Sequence, residues 1–231
     1  MACSGAGATR PFFFRRRDLP MLDADFDSLA ARADLSRLLA ACYYQPGPEF
    51  AEEGLFNSML GAAARLDAGL AAQARQLGDA FGAADPQDLL VDYTRLFLGP
   101  IDAPARPYGS VWLEARQGLM QESTLTVLDL YADGGFEMDE SFRDLPDHVA
   151  AELEFMYLLL FRQAEALRNG DSPAQQRFAG LQRRLLDEHL GRWTAPFAAA
   201  TAAAAQTAFY RELAGLTEAF IGAEKAATGV P

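Results

Sequence analysis

The apolar positions of this 231-residue chain recur at helical intervals over nearly its whole length. Leu29, Leu35, Leu38, Leu39 and Cys42 keep a spacing of three and four, with Arg32 and Arg37 on other faces. They predict a first helix over 25–44, stopped by Gln45-Pro46-Gly47-Pro48. A helical stretch over 49–81 follows, with Gly61 and Gly69 as candidate breaks. The next helix is punctuated at both ends. Asp85 is placed to N-cap it, Pro86 falls at its first position and Asp88 complements its dipole; Gly99 then serves as C-cap and Pro100 bars continuation. Leu89, Leu90, Tyr93, Leu96 and Phe97 form its apolar face. A loop stiffened by Pro100, Pro104 and Pro107 leads to a helix predicted over 110–132, closed by Gly134-Gly135, and then to an acidic irregular stretch over 137–144. A central helix is expected from Asp144, with Pro146 in its first turn, to Arg168 before Asn169-Gly170. Helices over 173–190, 193–205 and 206–223 complete the series, and no internal repeat is visible.

Composition sharpens the fold class. Five Val and two Ile are too few to build sheet cores, whereas Leu and Ala, both strong helix formers, dominate. The expectation is an all-α protein. With half its residues hydrophobic the chain can bury a sizeable core, and no linker divides it, so one helical-bundle domain is expected over 21–231. The richest apolar stretch, Phe155 to Phe161, is far short of the roughly eighteen residues that span a bilayer.

Charge narrows the partners. The formal net charge is −12, while the first twenty residues carry +3 from Arg10, Arg15, Arg16 and Arg17 against Asp18, leaving −15 for the rest. Such a field repels nucleic acid and anionic lipid and favours a cationic partner, although solubility alone also explains an acidic surface. Residues 10–17, Arg-Pro-Phe-Phe-Phe-Arg-Arg-Arg, are followed by Asp18, Pro20 and Asp23 rather than by a continuous apolar stretch, so they do not read as an export signal. Residues 1–20 are expected to be a disordered basic extension, with Met21 an alternative start. Two cysteines without CxxC spacing, Cys42 on an apolar helical face, fit a reducing cytoplasm.

The chain lacks the phosphate-binding GxxxxGK[ST] loop, GxGxxG after a strand, GxSxG and HExxH, and it holds only two histidines, His148 and His189, so neither turnover nor a metal site is expected. Tyr93, Leu96 and Phe97 share one helical face and read first as core. Their neighbour is the segment Pro107-Tyr108-Gly109-Ser110-Val111-Trp112, where aromatics beside a rigid turn are suited to lining a peptide groove. Asp147, Glu152 and Glu154 lie on or beside an apolar helix and require partners there. Internal arginines could supply them, and so could an arginine pair from a bound peptide.

These segments resemble a known family. Tyr93-x-x-Leu96-Phe97-x-Gly99-Pro100, the 107–112 loop, Pro146-Asp147-His148-x-x-x-Glu152-Leu153-x-Phe155-Met156 and His189-Leu190-x-x-Trp193-x-x-Pro196-Phe197 stand in the order found in the TorD/DmsD family of molybdoenzyme maturation chaperones, and the likeness covers most of 24–222. The resemblance implies an all-helical TorD/DmsD-like bundle without enzymatic activity or cofactor. It implies a cytoplasmic chaperone that binds the twin-arginine signal peptide, and in some relatives the body, of a molybdopterin-containing oxidoreductase until the client's cofactor is inserted. By motif, the peptide would meet Tyr93, Leu96, Phe97, Pro107, Tyr108, Asp147 and His148, supported by Trp112 and Glu152. The alternative is an assembly factor that binds a mature respiratory subunit and ignores signal peptides. Helices joined by Pro/Gly loops permit either a monomer or a domain-swapped dimer.

Overall fold

The computed structural model describes residues 24–99, 103–114, 119–139 and 142–230. The expected extension over 1–20 lies outside them, as does Pro100. Among the described residues every regular element is helical: α1 (Ala24–Cys42), α2 (Glu49–Glu52), α3 (Leu55–Ala63), α4 (Ala68–Ala83), α5 (Pro86–Tyr93), α6 (Gly109–Leu113), α7 (Glu122–Gly134), α8 (Val149–Asn169), α9 (Ser172–Glu188), α10 (Leu190–Ala204) and α11 (Ala208–Thr228). The all-α expectation holds.

Helices α8 and α1 form the spine. They run antiparallel, with the Ser36 hydroxyl donating to the Leu153 carbonyl and the Tyr44 hydroxyl to Glu154 near the start of α8. Helix α9 packs on α8, α10 on α9 and α11, and the α3–α4 pair closes the other side against α1 and α11. One core joins them, with Leu35, Leu39, Leu153, Leu160, Trp193, Phe197 and Phe220 fully buried. Cys42 is buried in it as a free thiol, and loss of hydration pushes its pKa up. No helix among the described residues is long and apolar enough to cross a membrane.

Local chemistry explains the ends that were foreseen. The Asp85 carboxylate accepts from the amides of Gln87 and Asp88, with Pro86 behind it. Helices α7 and α8 end on Gly135 and Gly170 at φ of 77° and 69°, a left-handed conformation that glycine adopts without Cβ strain.

Other boundaries moved. The stretch over 49–81 breaks at Gly54 (φ 66°) and at Asp67, whose side chain caps α4, whereas Gly61 lies inside α3 and Gly69 in the first turn of α4. The helix expected over 110–132 is two helices. Trp112 Nε1 donates to the Arg106 carbonyl and turns α6 back on its own loop, while the Glu114 carboxylate accepts the Ser123 amide at the start of α7. Helix α5 widens into a π turn over Thr94–Leu98 before Gly99. The central helix begins at Val149, not Asp144, with the His148 ring as its cap.

Candidate functional site

That late start follows from a pairing between two distant segments. The Val149 amide donates to the Pro107 carbonyl and the Gly109 amide to the Asp147 carbonyl, both at 2.8 Å, so Tyr108 and His148 form an isolated antiparallel bridge. Tyr131 adds a bond from its hydroxyl to the Pro146 carbonyl. Asp147 therefore lies in a turn closed by the His148 amide donating to the Leu145 carbonyl, and His148 in extended chain, rather than in a helical first turn. The Asp147 carboxylate is fully buried and accepts the Ser110 amide at 2.8 Å, capping α6, while its second oxygen has no hydrogen-bond partner among the described residues.

Beneath the bridge lies a buried polar knot. His189 Nδ1 is 2.7 Å from the Glu152 carboxylate and its Nε2 3.0 Å from the Ser123 carbonyl; Trp193 Nε1 donates to Glu152 at 3.2 Å. A carbonyl only accepts, so Nε2 carries a proton. Burial pulls the His189 pKa down, but the Glu152 charge and hydrogen bond, Asp147 and the Ser123 carbonyl outweigh it and leave it raised. Burial raises Glu152, with His189 drawing it back. Gly109 sits against this knot: a Cβ there would fall 2.5 Å from His189 Cε1 and 3.0 Å from Trp193 Nε1. Gly109→Ala is expected to lower stability by about 1–3 kcal/mol through overpacking, read by denaturant titration.

Above the bridge the surface is aromatic and acidic. The Tyr44 ring stacks parallel to His148 at 6.3 Å, and Tyr108 meets the same imidazole edge-on at 5.5 Å. The Tyr44 hydroxyl donates to Glu154 at 2.9 Å, Tyr108 bonds Asp144, and Asp144 lies 3.9 Å from His148 Nε2. Burial and the adjacent carboxylates push both phenols up, so both stay protonated. His148 Nδ1 accepts the Ala150 amide, and burial lowers its pKa despite Asp144 and Asp147, so the ring is a neutral floor. Asp144 and Glu154 are exposed. Beside them a cleft of about 230 Å³ is walled by Phe136, Met138, Phe142, Phe155 and Leu158, with Glu154 on its rim.

The sequence-derived residues divide between these layers. Tyr93, Tyr108 and His148 gather around Asp144. Leu96 and Phe97 do not reach the surface; Phe97 packs on Tyr43, Tyr93, Phe197 and Tyr210. Pro107, Asp147 and Glu152 are buried supports, and Trp112 is half-buried against Phe197. Sequence reasoning missed Tyr44, Asp144 and the cleft walls as site residues. The apolar Phe136, Met138 and Phe142 interrupting an acidic stretch were the available signal.

Comparison with known proteins identifies the family. The family described as nitrate reductase delta subunit matches residues 63–199, more than half of the chain. The perchlorate reductase assembly chaperone protein of Dechloromonas aromatica is 37% identical over 109 residues, 47% of this chain and 46% of that protein. The chaperone protein TorD of Vibrio parahaemolyticus is 28% identical over 134 residues, covering 58% and 60%, and the Tat proofreading chaperone DmsD of Salmonella typhi is 30% identical over 123, covering 51% and 58%. The chain thus spans about half to three-fifths of the length of these relatives. An Archaeoglobus fulgidus crystal structure described as a redox enzyme maturation protein superposes over 90% of this chain and 99% of its own, with a TM-score of 0.50 at 18% identity, which establishes a shared fold. The chain belongs to the nitrate reductase delta subunit family, the family that includes the TorD and DmsD chaperones.

Proposed function

We propose that this protein is a cytoplasmic maturation chaperone, not an enzyme, which binds the twin-arginine signal peptide of a molybdopterin-containing oxidoreductase and holds the apoprotein back from export while its cofactor is inserted. The observation that carries this reading is the pair of exposed carboxylates, Asp144 and Glu154, held by the half-buried Tyr108 and Tyr44 and flanked by a largely apolar cleft. A signal peptide offers the complementary pair of chemistries, arginines followed by an apolar stretch. Guanidinium groups pair with the Asp144 and Glu154 carboxylates and stack on the tyrosine faces. The apolar stretch lies along Phe136, Phe142 and Leu158 as in helix-in-groove recognition. Of the residues implied by motif, Tyr93, Tyr108 and His148 line the arginine end, while Leu96, Phe97, Pro107 and Asp147 hold those side chains in place from beneath.

Calorimetric titration with a peptide carrying two adjacent arginines ahead of an apolar stretch tests this. Saturable binding is expected, weakened when both arginines become alanine. Asp144→Asn and Glu154→Gln are each expected to cost roughly tenfold or more in affinity, from a charged hydrogen bond worth about 1.5–3 kcal/mol, without altering the circular dichroism spectrum. Equal affinity for both peptides would overturn the arginine assignment. A folded sample that binds neither, yet captures the mature client subunit, would favour the assembly-factor alternative.

A further inference from the structure

We propose that residues Arg10–Arg17 of this same chain occupy the cleft and its acidic rim when no client peptide is bound, so that a client must displace a built-in competitor. The inference rests on the peptide-binding reading above. Its first support is chemical. Arg10-Pro11-Phe12-Phe13-Phe14-Arg15-Arg16-Arg17 places three large apolar side chains after a cation, the same order of chemistries as a signal peptide, in a chain whose residues 21–231 carry −15. The segment lies outside the described residues, and the cleft fits its composition: apolar walls of Phe136, Phe142 and Leu158, with Glu154 in its lining and Asp144 beside His148 at the start of α8.

The second support is geometric. Because α1 is antiparallel to α8 and Ser36 meets Leu153, Ala24 stands level with the C-terminal part of α8, near Glu165. From there to Leu158 is about 10 Å along the helix axis, and to Ala151 about 20 Å, at roughly 1.5 Å per residue. Ten to twelve residues separate Phe14–Phe12 from Ala24 and can span about 35–40 Å. The phenylalanines therefore reach the cleft, and Arg10 reaches the carboxylates beyond it. Part of the path between is apolar: Phe161 is exposed on α8, its ring tilted 42° to that of Tyr157 at 6.0 Å and one turn from Leu158, beside the Arg162–Glu165 ion pair. A chain running back along α8 thus meets the C-terminal end of this strip first, then the cleft, then Asp144 and Glu154. That order gives Arg10 and Phe12–Phe14 the polarity of the client peptide.

The test compares full-length protein with the full-length variant Phe12→Ser, Phe13→Ser, Phe14→Ser and with a variant lacking residues 1–20, titrating each with the two-arginine peptide. Both variants are expected to bind it about tenfold or more tightly than the unaltered chain. A synthetic peptide of residues 8–20 is expected to bind the shortened protein and to compete with the two-arginine peptide. Identical affinity of all three proteins for the two-arginine peptide overturns the proposal and leaves the peptide-binding reading standing. If no form binds the two-arginine peptide, that reading fails, while binding of the 8–20 peptide, abolished by Leu158→Asp, still decides whether the segment fits the cleft. Relief that appears on dilution of the full-length protein would assign the segment to a second copy and overturn the intramolecular contact.

Discussion

Glu152→Ala is expected to lower the unfolding free energy by about 3–5 kcal/mol, because it removes one partner of a buried ion pair and strands the other. The Glu152 carboxylate is fully buried and receives both His189 Nδ1 and Trp193 Nε1, so its loss leaves an imidazole and an indole N–H without an acceptor. The knot joins α8 to α10, and through the Ser123 carbonyl to the start of α7, so the loss is shared by three elements. Glu152→Gln keeps the shape and one acceptor and is expected to cost about 1–2 kcal/mol. Guanidinium titration followed by circular dichroism measures both, and a loss below 1 kcal/mol for the alanine variant would show that packing alone holds these helices.

The same pair predicts a pH dependence with a definite sign. His189 has its folded pKa raised, so its contribution is complete below the unfolded value of about 6.5 and disappears as pH climbs through the folded value. Glu152 is also raised, which adds a fall of the same sign starting above about 4.5. The stability advantage of the unaltered protein over Glu152→Gln should therefore shrink as pH rises above about 6.5, by at most about 1.4 kcal/mol per pH unit for the single proton on His189. An advantage that grows with pH would place the proton elsewhere.

Where local chemistry decides a feature, the sequence was enough to find it. Asp85-Pro86 marks a helix start through bonds to residues two and three positions on, and Gly135 and Gly170 end helices through their own dihedral freedom. Where partners are distant, it was not. The break after α6 depends on Trp112 reaching Arg106, and the start of α8 depends on residues 147–149 pairing with 107–109, some forty positions away. The Asp147-His148 motif was visible, yet its place was misread for the same reason: a carboxylate before an apolar helix suggests dipole complementation or an open arginine site, and here it caps a different helix and is buried. The open carboxylates are Asp144 and Glu154, and the aromatic opposite them, Tyr44, sits at the end of α1 about a hundred residues away in sequence. Contacts of that separation leave no periodic trace.

Asp92→Ala should be nearly as damaging as Glu152→Ala, although Asp92 stands next to Tyr93 in a motif that invites a peptide-binding reading. Its side chain is 1% exposed. One oxygen pairs with Arg95 at 2.6 Å, and the other accepts the Gln206 and Thr207 amides at 2.9 and 2.7 Å together with the Thr207 hydroxyl at 2.9 Å. Asp92 thus caps α11 from α5, a service that N-cap residues usually perform within their own helix, and Arg95 braces the same corner by donating to the Ala204 carbonyl. Removing the carboxylate leaves two amides and a guanidinium uncompensated, an expected loss of about 3–5 kcal/mol; Asp92→Asn, which can still accept, should lose about half of that. Because Phe209 and Tyr210 follow at once and pack around Phe97 and Phe81, hydrogen exchange should accelerate first at the start of α11. At a temperature where the variant remains folded, its affinity for the two-arginine peptide should match that of the unaltered chain. A selective loss of affinity with unchanged stability would instead make Asp92 a contact for the peptide.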